Sequence, residues 1–121
     1  MTKKRTLVLG ASPNPIRFSY KAVKSLQRHN FPVIPAGIKI GEIGGVEIIT
    51  DRPVFDDIHT ITMYIGPARQ KEYYKWLLSL RPKRIIFNPG TENREFMEMA
   101  RENGIEVLED CTLIMLNAGR Y

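Results

Sequence analysis

The segment Gly10-Ala11-Ser12-Pro13-Asn14-Pro15-Ile16-Arg17-Phe18-Ser19-Tyr20 gathers residue types that handle anions. Its glycine lets the backbone come close to a ligand. Amide groups near a following helix start receive phosphate oxygens, and the helix dipole adds to the attraction. Arg17 contributes a permanent positive charge with forked donors suited to pyrophosphate. Ser19 and Tyr20 add hydroxyls. This chemistry favours a phosphorylated metabolite. A tight strand-to-helix turn without a ligand uses the same residues, so the surrounding elements must decide.

Those elements read as alternating strands and helices. Thr6-Leu7-Val8-Leu9, ending at Gly10, is a short apolar run expected to form a buried first strand. Residues 19–30 follow as a helix with Ala22, Val23 and Leu26 inward, Ser19 as its N-cap, and Asn30 and Pro32 closing it. Residues 32–36 read as strand two. A Gly-rich segment, 37–45, leads to 46–49, a short strand or extended connection. Residues 53–58 look like a short helical turn, and 60–65 like strand three. Pro67 suits the first turn of a helix running to about Leu80, with Tyr73, Leu77 and Leu80 on one face. Residues 84–87 are strand four. Thr91 then caps a helix through Asn103, with Phe96, Met99 and Ala100 inward. After Gly104, residues 105–108 are strand five. Asp110 or Thr112 caps a last short helix carrying Leu113, Ile114 and Leu116.

Short apolar strands separated by helices must be parallel, with helices on both faces. The expectation is therefore a single α/β domain over residues 1–121. It is a Rossmann-like three-layer α/β/α arrangement around a five-stranded parallel sheet, order 3-2-1-4-5. A ligand crevice should open at the C-terminal ends of strands one and four.

The loop is not the usual dinucleotide fingerprint, since it has one glycine where G-x-G-x-x-G needs three. An NAD site also wants a carboxylate near the end of strand two. Here Pro35-Ala36-Gly37-Ile38-Lys39 has none. Lys39 suits a phosphorylated ribose instead, which points to coenzyme A or to NADP. Simple surface solvation accounts for Lys39 equally well.

Composition narrows the classes further. With 121 residues, 43% apolar and 26% charged, the chain can bury a core without disulfides or metals. The net charge of +5 favours anionic partners. Basic residues are spread along the chain, with the densest cluster, Lys3-Lys4-Arg5, at a solvated terminus, so no nucleic-acid partner is expected. No run of eighteen apolar residues and no signal-peptide core appear, so neither a membrane partner nor secretion is expected. The single cysteine, Cys111, forms no internal disulfide and no multi-cysteine zinc site. A cytoplasmic protein is the simplest reading.

Catalytic groups are sparse. His29, at a helix end, and His59, before strand three, read as structural or solvated. Nothing resembles a P-loop or a nucleophile elbow. Asp56-Asp57 and Glu92, Glu95 and Glu98 look like solvated faces, and no histidine accompanies them to hold a metal. Cys111 reads as a small buried residue at a strand end. A mixed disulfide with coenzyme A is its alternative role. Tyr73, Tyr74 and Trp76 share one helix and cannot all face inward. At least one should be exposed, either marking a homodimer face or lying flat on the surface as a tyrosine can.

At this point the residues resemble a family. Gly10 to Pro15, Arg17, Ser19 and Tyr20, then Val33-Ile34-Pro35 and Lys39, resemble the small standalone CoA-binding domain proteins. These are similar to the CoA-binding domain of the succinyl-CoA synthetase α subunit. The likeness continues through Asn88-Pro89-Gly90-Thr91, Glu102-Asn103-Gly104-Ile105 and Asp110-Cys111-Thr112. It implies coenzyme A lying over the C-terminal strand ends. Gly10, Ala11, Ser12, Asn14, Arg17, Ser19 and Tyr20 would serve the phosphates. Gly37 and Lys39 would lie near the adenosine, Gly66 and Arg69 on the opposite wall, and Asn88, Pro89 and Gly90 at the pantetheine exit. The chain departs from the family at Gly37-Ile38, where Asn-Pro is usual. The synthetase relatives use a phosphohistidine on a further domain, for which 121 residues leave no room. The expected function is binding of coenzyme A or an acyl-CoA without catalysis. Its rivals are an NADP-linked or acyl-CoA-handling enzyme, and a structural or interaction subunit with a vestigial crevice.

Overall fold

The structure, a computed structural model, describes residues 4–121. Lys3 of the basic N-terminal cluster lies outside the described residues. The chain runs β1 (Thr6–Leu9), α1 (Phe18–Arg28), β2 (Val33–Ala36), β3 (Glu42–Ile43), β4 (Val46–Glu47) and β5 (Thr60–Met63). It continues through α2 (Pro67–Gln70), a 3-10 turn (Lys71–Tyr73), α3 (Tyr74–Ser79), β6 (Arg84–Phe87), α4 (Arg94–Glu102), β7 (Glu106–Glu109) and α5 (Thr112–Asn117).

Five parallel strands form the main sheet in the order β2-β1-β5-β6-β7, and β3 and β4 form a small antiparallel hairpin. The fold is α/β and Rossmann-like. Ile49 adds a single parallel bridge to Ala36 on the outer side of β2. Counting that segment as third, the order reads 3-2-1-4-5-6, which contains the expected 3-2-1-4-5 pattern. Thr60–Met63 accordingly sits beside β1, in the fourth place. The crevice therefore opens between β1 and β5, not between β1 and Arg84–Phe87.

Side chains alternate across the sheet with the period of a strand. Leu7, Leu9, Ile61, Met63, Ile85 and Phe87 point to one face, where Leu77, Phe96 and Ala100 cover them. Val8 and Ile86 point to the other, under Val23, Leu26, Met115 and Leu116. So α1 and α5 cover one face and α2 to α4 the other. Near-continuous apolar strands are what a sheet covered on both faces requires.

Several boundaries differ from the sequence reading. Arg17, not Ser19, is the N-cap of α1, and Ser19 is buried in the first turn. Asn93 caps α4, accepting the Phe96 N–H, while the Thr91 hydroxyl donates to the Asn88 carbonyl instead. Cys111 occupies the cap position of α5 without a side-chain cap bond. Residues 53–58 form no helical turn. The β3 strand escaped notice because its partner lies two glycines away, with Gly44 and Gly45 both at positive φ.

The largest correction concerns the three aromatics. The helix expected over 67–80 breaks at the 3-10 turn, and this re-aims its side chains. Tyr73, Tyr74 and Trp76 are all buried, each 8% exposed. Tyr74 stacks on Phe96 with ring centres 4.4 Å apart. The loop before β5 covers the other two. Trp76 Nε1 donates to the Pro53 carbonyl at 2.8 Å, and the Arg52 guanidinium lies 4.1 Å from the Tyr73 ring centre. None of the three aromatics is left exposed to mark a homodimer face.

Phe96→Ala empties the centre of the α4 face. It is expected to cost about 3–5 kcal/mol, read as a lowered urea midpoint. His59 gives a pH signature. Burial, then the nearby Arg84, Lys4 and Lys83 charges, lower its pKa from the ordinary 6.5. The folded state resists protonation, so this contribution is complete above that value and is lost as pH falls below it. Chemical denaturation across this range should show a shallower slope for His59→Gln.

Candidate functional site

The C-terminal ends of β1 and β5 meet at close quarters. Gly10 adopts φ +99°, and a Cβ there would lie 2.8 Å from the Ile65 side chain. The Gly10 and Ala11 amides both donate to the Ala36 carbonyl, at 2.8 and 2.9 Å. This holds the start of the loop against the end of β2. Gly37 completes the contact, because a Cβ there would fall 2.2 Å from the Ala11 carbonyl oxygen. The two loops thus run backbone to backbone, which only glycine at 37 permits.

Above this floor lies a cavity of about 370 Å³. That size is ordinary for a small-molecule site. One wall is built by Gly10, Ala11, Ser12, Arg17, Phe18 and Ser19, the second by Gly37, Ile38 and Lys39. Tyr64, Ile65, Gly66, Arg69 and Tyr73 form the third, and Pro89, Gly90 and Thr91 close the end beyond β6. Leu9 lies at the base. Arg17, Lys39 and Arg69 are exposed cations on three sides, and no carboxylate lines the space. None of the three joins an ion pair among the described residues. Their field focuses on whatever enters.

Three expected residues do not line this space. Asn14 shapes the turn, its Oδ1 accepting the Ile16 N–H and its carbonyl the Arg17 N–H. Tyr20 packs against the core under α1. Asn88 is buried below the floor. Its Nδ2 donates to Thr62 Oγ1 at 2.7 Å and to the Met63 carbonyl at 2.8 Å, and its Oδ1 accepts the Thr112 N–H at 2.9 Å. It ties β5, β6 and α5 together.

The amides expected to serve phosphate are also redistributed. Those of Gly10 and Ala11 are occupied by Ala36, and that of Asn14 by the Ser12 hydroxyl. The first turn of α1 carries no side-chain cap, so its opening amides remain as anion donors beside the Arg17 charge.

A second buried network fixes the far walls. Gln70, fully buried, donates to the Ile65 carbonyl at 2.9 Å and to the Thr91 carbonyl at 2.7 Å. Its Oε1 accepts from Asn93 Nδ2, which also donates to the Tyr74 hydroxyl. One side chain therefore joins the loop after β5 to the loop after β6. The sequence reading missed Gln70, since a glutamine in a helix carries no signal of burial. It also left Phe18, Ile38, Tyr64 and Thr91 off the lining. Phe18 and Ile38 were legible only as neighbours of Arg17 and Lys39.

The residues weighed for catalysis stand apart. His29 hydrogen-bonds the Ser25 carbonyl, and His59 meets Thr60 Oγ1. Neither lines the cavity, and nor does Cys111, which is half-buried. The Tyr64 hydroxyl is buried beside Thr62 and Thr112, whose own hydroxyls bond each other at 2.8 Å. Burial and then the nearby Cys111 push its pKa well above the ordinary tyrosine value.

Comparison with known proteins now bears on this geometry. The sequence pattern of the CoA binding domain matches residues 4–117. The chain belongs to the CoA binding domain family. The crystal structure of an uncharacterized protein superposes with a TM-score of 0.97 at 49% identity, covering 100% of both chains. A hypothetical protein from Pyrococcus horikoshii matches with a TM-score of 0.85 at 25% identity, over 96% of this chain and 83% of its own. A conserved hypothetical protein from Pyrococcus furiosus gives 0.79 at 26% identity, over 93% and 98%. No curated protein matches the chain. Family membership supports coenzyme A as the ligand class and lends nothing to NADP.

Gln70→Leu tests the wall network. It leaves the Ile65 and Thr91 carbonyls and the Asn93 amide short of a partner, at about 1–3 kcal/mol for each group left unsatisfied. The expected result is a clear loss of unfolding free energy, with faster amide exchange in residues 65–66 and 90–91.

Proposed function

We propose that the cavity binds coenzyme A or an acyl-CoA and that the chain works as a binding module without catalysis. The observation that carries this reading is the lining: three cations, Arg17, Lys39 and Arg69, and no carboxylate. Coenzyme A presents a pyrophosphate and a ribose 3′-phosphate, which are the groups such a lining attracts. The uncapped start of α1 and Arg17 suit the pyrophosphate. Lys39 suits the 3′-phosphate. Phe18 and Ile38 give the base an apolar boundary, and Pro89, Gly90 and Thr91 face the pantetheine arm. The non-catalytic part rests on the histidines and Cys111 lying off the lining. A purely structural subunit with a vestigial crevice is disfavoured, because three cations clustered without a carboxylate repel one another and a bound anion relieves that repulsion.

Native mass spectrometry of the purified protein tests this reading. A retained mass matching coenzyme A supports it, and a retained nicotinamide nucleotide overturns it. Arg17→Ala should weaken coenzyme A binding by about 1.5–3 kcal/mol if its guanidinium makes a charge-assisted phosphate contact. Lys39→Ala should weaken coenzyme A far more than 3′-dephospho-coenzyme A. Equal losses for both ligands would remove Lys39 from the 3′-phosphate.

A further inference from the structure

Four large apolar side chains stand in solvent around the cavity mouth: Ile16 79%, Phe18 66%, Ile38 67% and Ile40 87% exposed. Phe18 and Ile38 line the cavity, so a ligand covers them. Ile16 and Ile40 do not line it and stay exposed with the site filled. The two segments that carry these residues pack side by side. Ala11 lies against Gly37, and Pro13 against Gly41. The apolar tips thus belong to one face of the molecule. This was invisible in the sequence, where about twenty positions separate the pairs and no membrane partner is expected.

The same segments are strongly cationic. Arg17, Lys21 and Lys39 are exposed between the apolar tips, and residues 11–24 and 37–41 contain no carboxylate. The Lys21 ammonium sits 5.2 Å from the Phe18 ring centre, so charge and apolar surface are interleaved. We propose that this face docks on an anionic lipid surface. Ile16 and Ile40, with Phe18 and Ile38 when the site is empty, enter the interfacial layer, and Lys21, joined by Arg17 and Lys39 when the site is empty, meets headgroup phosphates. Charge complementarity selects this occupant. A second copy of the chain would set Arg17, Lys21 and Lys39 against their own like charges. A protein partner would have to supply recesses for protruding tips, whereas a bilayer interface accepts them without matching shape. No helix of the described residues is long and apolar enough to cross a membrane, so the contact is with the surface only.

The test is co-sedimentation of the full chain with vesicles of equimolar phosphatidylcholine and phosphatidylglycerol, beside vesicles of phosphatidylcholine alone. Binding to the anionic vesicles, weakened by high salt, is expected, with little binding to the neutral ones. The double variant I16S/I40S should lose about tenfold or more in vesicle affinity. Lys21→Glu should also weaken it. Ile16 and Ile40 lie off the cavity lining, so unchanged thermal unfolding and coenzyme A titration establish that I16S/I40S is folded; Lys21 contacts the lining residue Phe18, so unchanged thermal unfolding alone serves for Lys21→Glu. No binding to anionic vesicles overturns the proposal and leaves an acidic protein as the occupant of this face. Vesicle binding undiminished in I16S/I40S overturns it as well. Vesicle binding by a chain that fails to bind coenzyme A would refute the ligand assignment and leave the docking surface standing.

Discussion

The carbonyl oxygen of Ala36 sets the geometry of the whole upper end of the sheet. It accepts the amides of both Gly10 and Ala11, so the chain leaving β1 is pinned to the end of β2 before it can wander. The pinning works only because residue 37 has no Cβ, which would otherwise overlap the Ala11 carbonyl. From that point the loop has one course, through the Asn14 turn and into α1. Arg17 then arrives at the helix start with its charge over the cavity. The positive φ of Gly10 and the close approach at Gly37 are therefore joint requirements of one contact.

The opposite walls are held by different means. There the backbone loops after β5 and β6 do not touch through a shared carbonyl. They are bridged by buried side-chain amides. Gln70 spans the two loops, and Asn88 anchors the strand ends to α5. Buried polar groups are tolerated because each has its partners, and a satisfied network in a low dielectric is rigid. The cavity is thus framed by backbone closure on one side and by amide bridges on the other. The long cationic side chains facing it are exposed. Such a frame lets ligand charge be met without rearranging the walls.

Much of this was legible in the sequence. Short apolar runs ending at Gly10, Pro89-Gly90 or Gly66 announced buried parallel strands, and the class followed from their alternation with helices. Arg17 and Lys39 were recognisable by their places after strand ends, and Arg69 through the family resemblance. What could not be read has physical causes. Asn88 looks like a rim residue, but its side chain is drawn under the floor by three hydrogen bonds. Gln70 carries no periodic signal, yet it is fully buried. The three aromatics seemed too many for one helix face. A 3-10 turn and a covering loop, both tertiary effects, bury all of them. The place of Thr60–Met63 in the sheet depended on whether the segment ending at Ile49 counted as a strand, which one bridge decides.

The central claim is that this cavity, cationic on three sides and free of carboxylates, selects coenzyme A. Isothermal titration of the full chain with coenzyme A and, separately, with NADP tests it most directly. The account predicts one-site binding of coenzyme A at micromolar concentrations and far weaker binding of NADP, since the chain belongs to the CoA binding domain family and its loop after β1 has one glycine where the dinucleotide fingerprint needs three. No heat of binding with coenzyme A at micromolar concentrations, or a preference for NADP, would contradict it.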